Sequence, residues 1–95
     1  MFIATWNGVE IARSSNTIEV ERNQYFPPED VKMQYFTKTD YTTVCPWKGL
    51  ASYYTITVNG KTNENGAWYY PAPKDKATQI KDYIAFWNGV LVEKV

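Results

Sequence analysis

Five consecutive residues, Cys45-Pro46-Trp47-Lys48-Gly49, concentrate the reactive and recognition chemistry of this 95-residue chain. A thiol placed three residues before an ammonium group can lose its proton readily: Lys48, folded back, would lower the pKa of Cys45 and leave a reactive thiolate. The same stretch suits binding. Trp47, together with Tyr53, Trp68 and Tyr70, could wall an aromatic pocket in which Lys48 pairs with an anionic group of a guest. It also suits structure alone. Pro46 fixes φ and ends strand pairing, Gly49 permits a sharp return into the next strand, and a cysteine at a strand end packs well as a small hydrophobe. The candidate ligand site is therefore Cys45, Trp47, Lys48, Tyr53, Trp68 and Tyr70. Cys45 is the one weak candidate for a catalytic group.

Much other chemistry is missing for want of atoms. There is no histidine, which removes Ser-His-Asp and Cys-His arrangements and imidazole as acid, base or metal ligand. One cysteine without histidine cannot supply the four N or S ligands of a structural zinc site. Neither GxGxxG nor GxxxxGK[ST] occurs, so the common nucleotide-binding loops are absent. No metal and no cofactor are expected. Glu29-Asp30, the adjacent acidic pair singled out here, reads as the first turn of a helical segment.

Ten basic and ten acidic side chains cancel, with no run of three Lys/Arg. Nucleic acid and anionic membrane surfaces are disfavoured as partners, since phosphate contacts demand a basic excess. No stretch approaches the roughly 18 apolar residues of a spanning helix, and the opening Met1-Phe2-Ile3-Ala4-Thr5-Trp6 lacks the pattern of a signal peptide. With a single thiol and no intrachain disulfide, a cytoplasmic location is the expectation.

The elements that must position the candidate site are short strands. The length suits one domain over residues 1–95, and the 17% aromatic content gives a small β domain much buried surface per residue. Residues 2–6 and 9–13 flank Asn7-Gly8, and residues 83–87 and 90–95 flank Asn88-Gly89, each the pattern of a two-residue hairpin. The two segments share six of eight positions, Phe2–Val9 against Tyr83–Val90, which suggests a pseudo-symmetric pair of hairpins or convergence on one turn recipe. Trp6 and Trp87, just before these turns, are expected to pack the core or cover an edge. Thr17–Glu21 reads as a strand with Ile18 and Val20 inward, and Pro27–Val31 as a helical turn. Strands are expected over 41–45 and 50–59, the latter with Leu50, Ser52, Tyr54, Ile56 and Val58 on its buried face and Ala51 and Tyr53 on the face toward solvent or a shallow groove. A turn at Asn63–Gly66 should lead into a strand over 67–70. Residues 74–82 are the one good helix candidate, seated by Ala77 and Ile80.

Beyond these local patterns, Thr43–Tyr54 resembles the central motif of a bacterial family, domain of unknown function 427 (DUF427): Cys-Pro, an aromatic residue and Lys-Gly, followed by Ala and Tyr. Tyr25-Phe26-Pro27-Pro28 with Val31, Ala67-Trp68-Tyr69-Tyr70-Pro71 and Ala85-Phe86 match as well, so the likeness runs from about residue 3 to residue 93. The resemblance implies a mainly β fold, a small antiparallel β-tent or barrel-like domain with one short helix near residues 74–82. Other members of that fold group include methionine sulfoxide reductase B and the drug-binding domain of cereblon. Many of those proteins hold zinc between paired CxxC knuckles; Cys45 stands alone, so no metal is carried over. Nor does the sequence contain the Gly-Ser with paired carboxylates that a nucleotidyltransferase label would require.

The expected function is a non-catalytic module that binds a small molecule or a peptide in an aromatic pocket beside the Cys45–Gly49 loop. The alternatives are an enzyme or redox protein centred on Cys45, and a protein-interaction or assembly domain. The expected partner is a small molecule or a protein, with the chain a monomer or weak homodimer.

Overall fold

The computed structural model describes residues 1–95 and is mainly β, with every paired strand antiparallel. The strands are β1 (Phe2–Trp6), β2 (Val9–Ser14), β3 (Ile18–Val20), β4 (Asn23–Tyr25), β5 (Phe36–Cys45), β6 (Gly49–Val58), β7 (Lys61–Tyr69), β8 (Ala85–Phe86) and β9 (Leu91–Lys94). They form three sheets, ordered β2-β1-β9, β3-β4 and β5-β6-β7-β8. No helix is long and apolar enough to cross a membrane.

Two-residue Asn-Gly turns close two of the hairpins. Asn7-Gly8 joins β1 to β2 and Asn59-Gly60 joins β6 to β7, each with both central residues at positive φ (50° and 76°, 50° and 78°). That backbone twist matches the twist of the flanking strands. Val31 follows the 3₁₀ turn Pro28–Asp30 and bridges back to Ala12, as proline at a helix start followed by acidic residues leads one to expect.

The second Asn-Gly hairpin does not form. Asn88 and Gly89 take the turn conformation (φ 56° and 93°), but β8 pairs with β7 while β9 pairs with β1. The local turn therefore serves as a corner between two sheets. The backbone N–H of Trp87 bonds to Gly66 O at 3.1 Å, which holds the incoming arm in the larger sheet, and the outgoing arm completes the free edge of β1.

The turn expected at Asn63–Gly66 is also displaced. These residues lie inside β7, where Asn65 (φ 55°) bulges and the register against β6 shifts between Tyr54 and Ile56. The turn-forming residue types are spent on the bulge and on the buried Asn63 side chain. A Cβ on Gly66 would come within 2.6–2.8 Å of that side chain, so glycine is required there by space. The short helical segment near 74–82 is present as two 3₁₀ turns over Asp75–Ile80, joined through Ala77 at φ −122°. Six residues with no side-chain N-cap give too few hydrogen bonds to carry an α-helical nucleus, yet Ala77 and Ile80 are buried as expected.

Both faces of the β5-β6-β7-β8 sheet are packed. On one face Tyr54, Ile56 and Val58 join Ala4, Ile11 and Phe26 in a twelve-residue cluster under β1 and β2. On the other, Ala51, Tyr53 and Ala85 pack with Tyr25, Ala77 and Ile80, beneath the β3–β4 hairpin and the 3₁₀ segment. The solvent-facing role expected for Ala51 and Tyr53 is thus corrected: they are buried. Leu50, expected inside, is 49% exposed. It sits where β6 has just left the loop and has not yet passed under the covering sheet.

Candidate functional site

The loop that carries the candidate chemistry is held from two sides. Cys45 and Gly49 close the β5–β6 ladder, with Gly49 at φ 113°, a value side-chain-bearing residues rarely adopt. The segment after Pro73 grips the tip: Lys74 N–H donates to Lys48 O at 2.9 Å, and Lys74 Nζ to Pro46 O at 2.7 Å.

Within this loop Lys48 turns inward and is 5% exposed. Its Nζ lies 5.3 Å from the centroid of the Trp47 ring and 5.6 Å from that of Tyr70, near enough for the ring faces to attract the cation. It donates a hydrogen bond to Glu21 Oε1, while Trp47 Nε1 reaches Glu21 Oε2 at 3.4 Å. Glu21, at the tip of the β3–β4 hairpin, thus occupies the place assigned above to an anionic group of a guest. The Lys48 hydrogen bond, then that of Trp47, holds the Glu21 carboxyl below its ordinary value. Burial works against the Lys48 charge, but the hydrogen bond to Glu21 and the neighbouring Tyr25 and Tyr70 outweigh it, so its pKa lies above the ordinary lysine value.

Tyr70 is buried beside this pair, and that burial pushes its phenol up to about 12 against the opposing field of Lys48; Cys45, Tyr25 and Tyr53 are near enough to act on it. Cys45 is a free, half-buried thiol packed on the second cluster.

Tyr53 and Trp68 stand opposite one another on β6 and β7 and begin a longer run of rings. Tyr53 contacts Tyr41 at 4.8 Å between centroids and Trp87 at 6.5 Å; Trp87 meets Trp68 edge-on at 6.3 Å; Trp68 meets Tyr25 edge-on at 6.2 Å. Hydrogen bonds fix the rings: Trp68 Nε1 donates to Tyr25 OH at 3.2 Å, Trp87 Nε1 to Asn65 O at 2.6 Å, and the Tyr53 and Thr43 hydroxyls are 2.9 Å apart. Tyr41, at one end of the row, and Trp87, in its middle between Tyr53 and Trp68, are 48% and 50% exposed, whereas Tyr53 and the far end, Tyr25, are buried, so open and buried rings alternate along the row.

All six sequence-derived residues therefore belong to one region, with Trp47, Lys48 and Tyr70 around the ion pair and Tyr53 and Trp68 in the ring row. Sequence reasoning missed Glu21, Tyr25, Tyr41 and Trp87 as neighbours. Tyr41 lies where the β5–β6 register shifts between Lys38 and Thr42, which breaks the alternation that assigns faces. Trp87 depends on the unexpected corner at Asn88. Glu21 carries no local signal, because a Glu-Arg pair is an unusual tip for a tight turn.

An open hollow of about 470 Å³ lies against Trp47, walled by Lys74, Asp75 and Lys76. A second, of about 440 Å³, lies away from the loop, between Phe2, Arg22, Phe86 and Val90–Val92. No three of the chain's Cys, Asp and Glu side chains gather around one point as metal ligands. Chemically, the region offers ring faces and edges, hydroxyl and indole donors, and one buried cation already matched by a carboxylate.

Compared with known proteins, residues 2–95 match the model of a family described as a domain of unknown function, DUF427. No curated protein matches the chain.

Proposed function

The chain belongs to the DUF427 family, and on that footing we propose that it is a non-catalytic binding module whose aromatic row receives the flat, apolar part of a small molecule or peptide. The observation that carries this reading is the alternation of anchored, mostly buried rings with half-exposed ones along the row. Tyr53 and Trp68 are anchored by hydrogen bonds, while Tyr41 and Trp87 present half of their surface beside them. Rigid rings with one open side gain contact area at little entropic cost when a guest stacks on them. Titration with a panel of ring-bearing metabolites and aromatic peptides, followed by tryptophan fluorescence and thermal shift, tests it. A ligand whose binding is lost in Trp87→Ala and weakened in Tyr41→Ala supports the reading. No saturable response across the panel, or equal responses in both variants, overturns it.

One observation favours a second reading, that of an assembly domain. β5 is an edge strand of ten residues, and Val44 and Leu50, paired across β5 and β6, are 74% and 49% exposed. An unpaired edge beside apolar side chains is a ready template for another chain. Sedimentation at several concentrations distinguishes the two, since a monomer at every concentration counts against self-assembly.

A further inference from the structure

Two neighbouring residues of the β5–β6 loop direct donors at a single carboxylate. Lys48 Nζ takes Glu21 Oε1 and Trp47 Nε1 takes Oε2, one donor for each oxygen. The two halves of this contact are built differently. The donor half is buried and fixed: Lys48 is flanked by the rings of Trp47 and Tyr70, and its loop is clamped by both the backbone and the side chain of Lys74. The acceptor half is exposed and weakly supported. The Glu21 side chain is 53% exposed and sits on the tip of a two-stranded sheet only three residue pairs long. Glu21 and Arg22 both lie in the left-handed region, at φ 52° and 69°, which neither side chain favours. A strained tip whose end is held by one ion pair is released when another group satisfies that pair.

We propose that Glu21 is a resident stand-in for the carboxylate of a guest, and that the seat formed by Lys48 Nζ and Trp47 Nε1 accepts a monocarboxylate with an aromatic body in its place. A carboxylate is the class because one already fits: two donors serve two oxygens, and the rings of Trp47 and Tyr70 flank the cation and limit room for a third. The open hollow against Trp47 shares that ring with the seat, and on its wall Lys74 and Lys76 outnumber Asp75, leaving a net positive charge that attracts an anion to this corner. The resident carboxylate sets a threshold, since the apparent affinity of a guest falls by the fraction of molecules in which the seat is vacant.

The proposal deepens the binding reading and rests on it for the guest's ring. The experiment is a titration with phenylacetate followed by the indole N–H signals in ¹H–¹⁵N spectra, on the wild type and on Glu21→Asn. Asparagine tolerates the left-handed tip, so this variant removes the stand-in and keeps the turn. The expected result is a saturable shift of the Trp47 indole, at least tenfold tighter in Glu21→Asn than in the wild type and absent in Lys48→Met, with no shift from phenylacetamide. Equal affinity in wild type and Glu21→Asn, an equal effect of phenylacetamide, or no Trp47 response in Glu21→Asn overturns it. Should Lys48→Met not fold, the other comparisons decide. The Trp87 indole separates this proposal from the aromatic row: a shift of Trp87 without Trp47 overturns the seat and leaves the row, while Trp47 moving alone supports the seat and counts against the row.

Discussion

Asn63 and Asn88, on β7 and at the corner between two sheets, exchange reciprocal hydrogen bonds: Asn63 Nδ2 donates to Asn88 O at 2.9 Å and Asn88 Nδ2 to Asn63 Oδ1 at 3.1 Å. Because Asn63 is buried, removing it strands polar groups of the corner away from water. Asn63→Ala is expected to cost about 1–3 kcal/mol, and Gly66→Ala a similar amount, about 1–3 kcal/mol, by driving a methyl into the Asn63 amide. Urea denaturation checks both. The double variant should cost less than the sum of the two, because the clash vanishes with the amide.

The ion pair between Lys48 and Glu21 gives stability two opposite pH limits. The Glu21 carboxyl is lowered in the folded chain, so its contribution is present above the ordinary value of 4.5 and is lost as pH falls through the lower folded value. Lys48 is raised, so its contribution is complete below the ordinary value of 10.5 and is lost as pH rises through the higher folded value. Glu21→Gln should flatten part of the acid decline of the melting temperature; the part due to Glu10, also lowered by Arg13, remains. A curve for Glu21→Gln parallel to the wild type below pH 4.5 would show that the pair contributes nothing.

Two phenols sharpen the alkaline limit. Burial pushes both Tyr54 and Tyr70 up to about 12, and a raised folded value means that the unfolded chain loses its proton first. Stability should fall as pH rises from 10 towards 12. Ultraviolet titration is expected to find two phenols still protonated well above the ordinary value of 10.0; complete ionisation of every phenol near that value in a folded chain would contradict the burial.

The tip that carries Glu21 is improvable. Arg22 is exposed and left-handed, a conformation that costs a side-chain-bearing residue about 1–2 kcal/mol. Arg22→Gly should therefore raise stability by up to about 1 kcal/mol after the flexibility it adds to the unfolded chain. Thermal unfolding measures it, and a lower melting temperature would mean that Arg22 makes a contact more valuable than the strain it causes.

Leu50 and Ile56 lie on one strand, and the alternation of apolar residues assigns them to one face. The structure exposes the first and buries the second completely. Leu50→Lys is expected to change stability by no more than about 0.5 kcal/mol, whereas Ile56→Ala should cost about 2–5 kcal/mol. Equal losses would restore the simple alternating strand.

Leu50 also shows where sequence reading reached its limit. Period-two alternation located β6 and the inward placing of Tyr54, Ile56 and Val58, because those positions lie beneath the covering sheet. It did not register that Tyr53 is buried too, since burial on the second face is supplied by Tyr25 and Ile80 from distant segments. Asn7-Gly8 and Asn88-Gly89 carry identical turn chemistry and adopt similar backbone angles, yet only the first is a hairpin. Turn residues specify a local bend; which strand each arm then pairs with is a long-range matter. Trp47, Lys48 and Tyr70 were legible as a group through the loop and its family likeness. Glu21 was not, because its place depends on the position of an entire hairpin.

The four Asn-Gly steps differ in how their side-chain amides are tethered, and this bears on how the protein ages. At such a step the unhindered backbone nitrogen of glycine can attack the asparagine side-chain amide carbon and expel ammonia, closing a succinimide that water then opens to an acidic residue. Asn7 Nδ2 donates to Val58 O at 3.0 Å, Asn65 Oδ1 accepts from the Thr39 hydroxyl at 2.7 Å, and Asn88 is held by Asn63. Asn59 has no such tether among the side-chain hydrogen bonds and lies on the exposed tip between β6 and β7. Deamidation on storage should therefore start at Asn59, adding one negative charge to a chain of formal charge zero at the tip of the β6–β7 hairpin, the opposite end of β6 from the Lys48 loop.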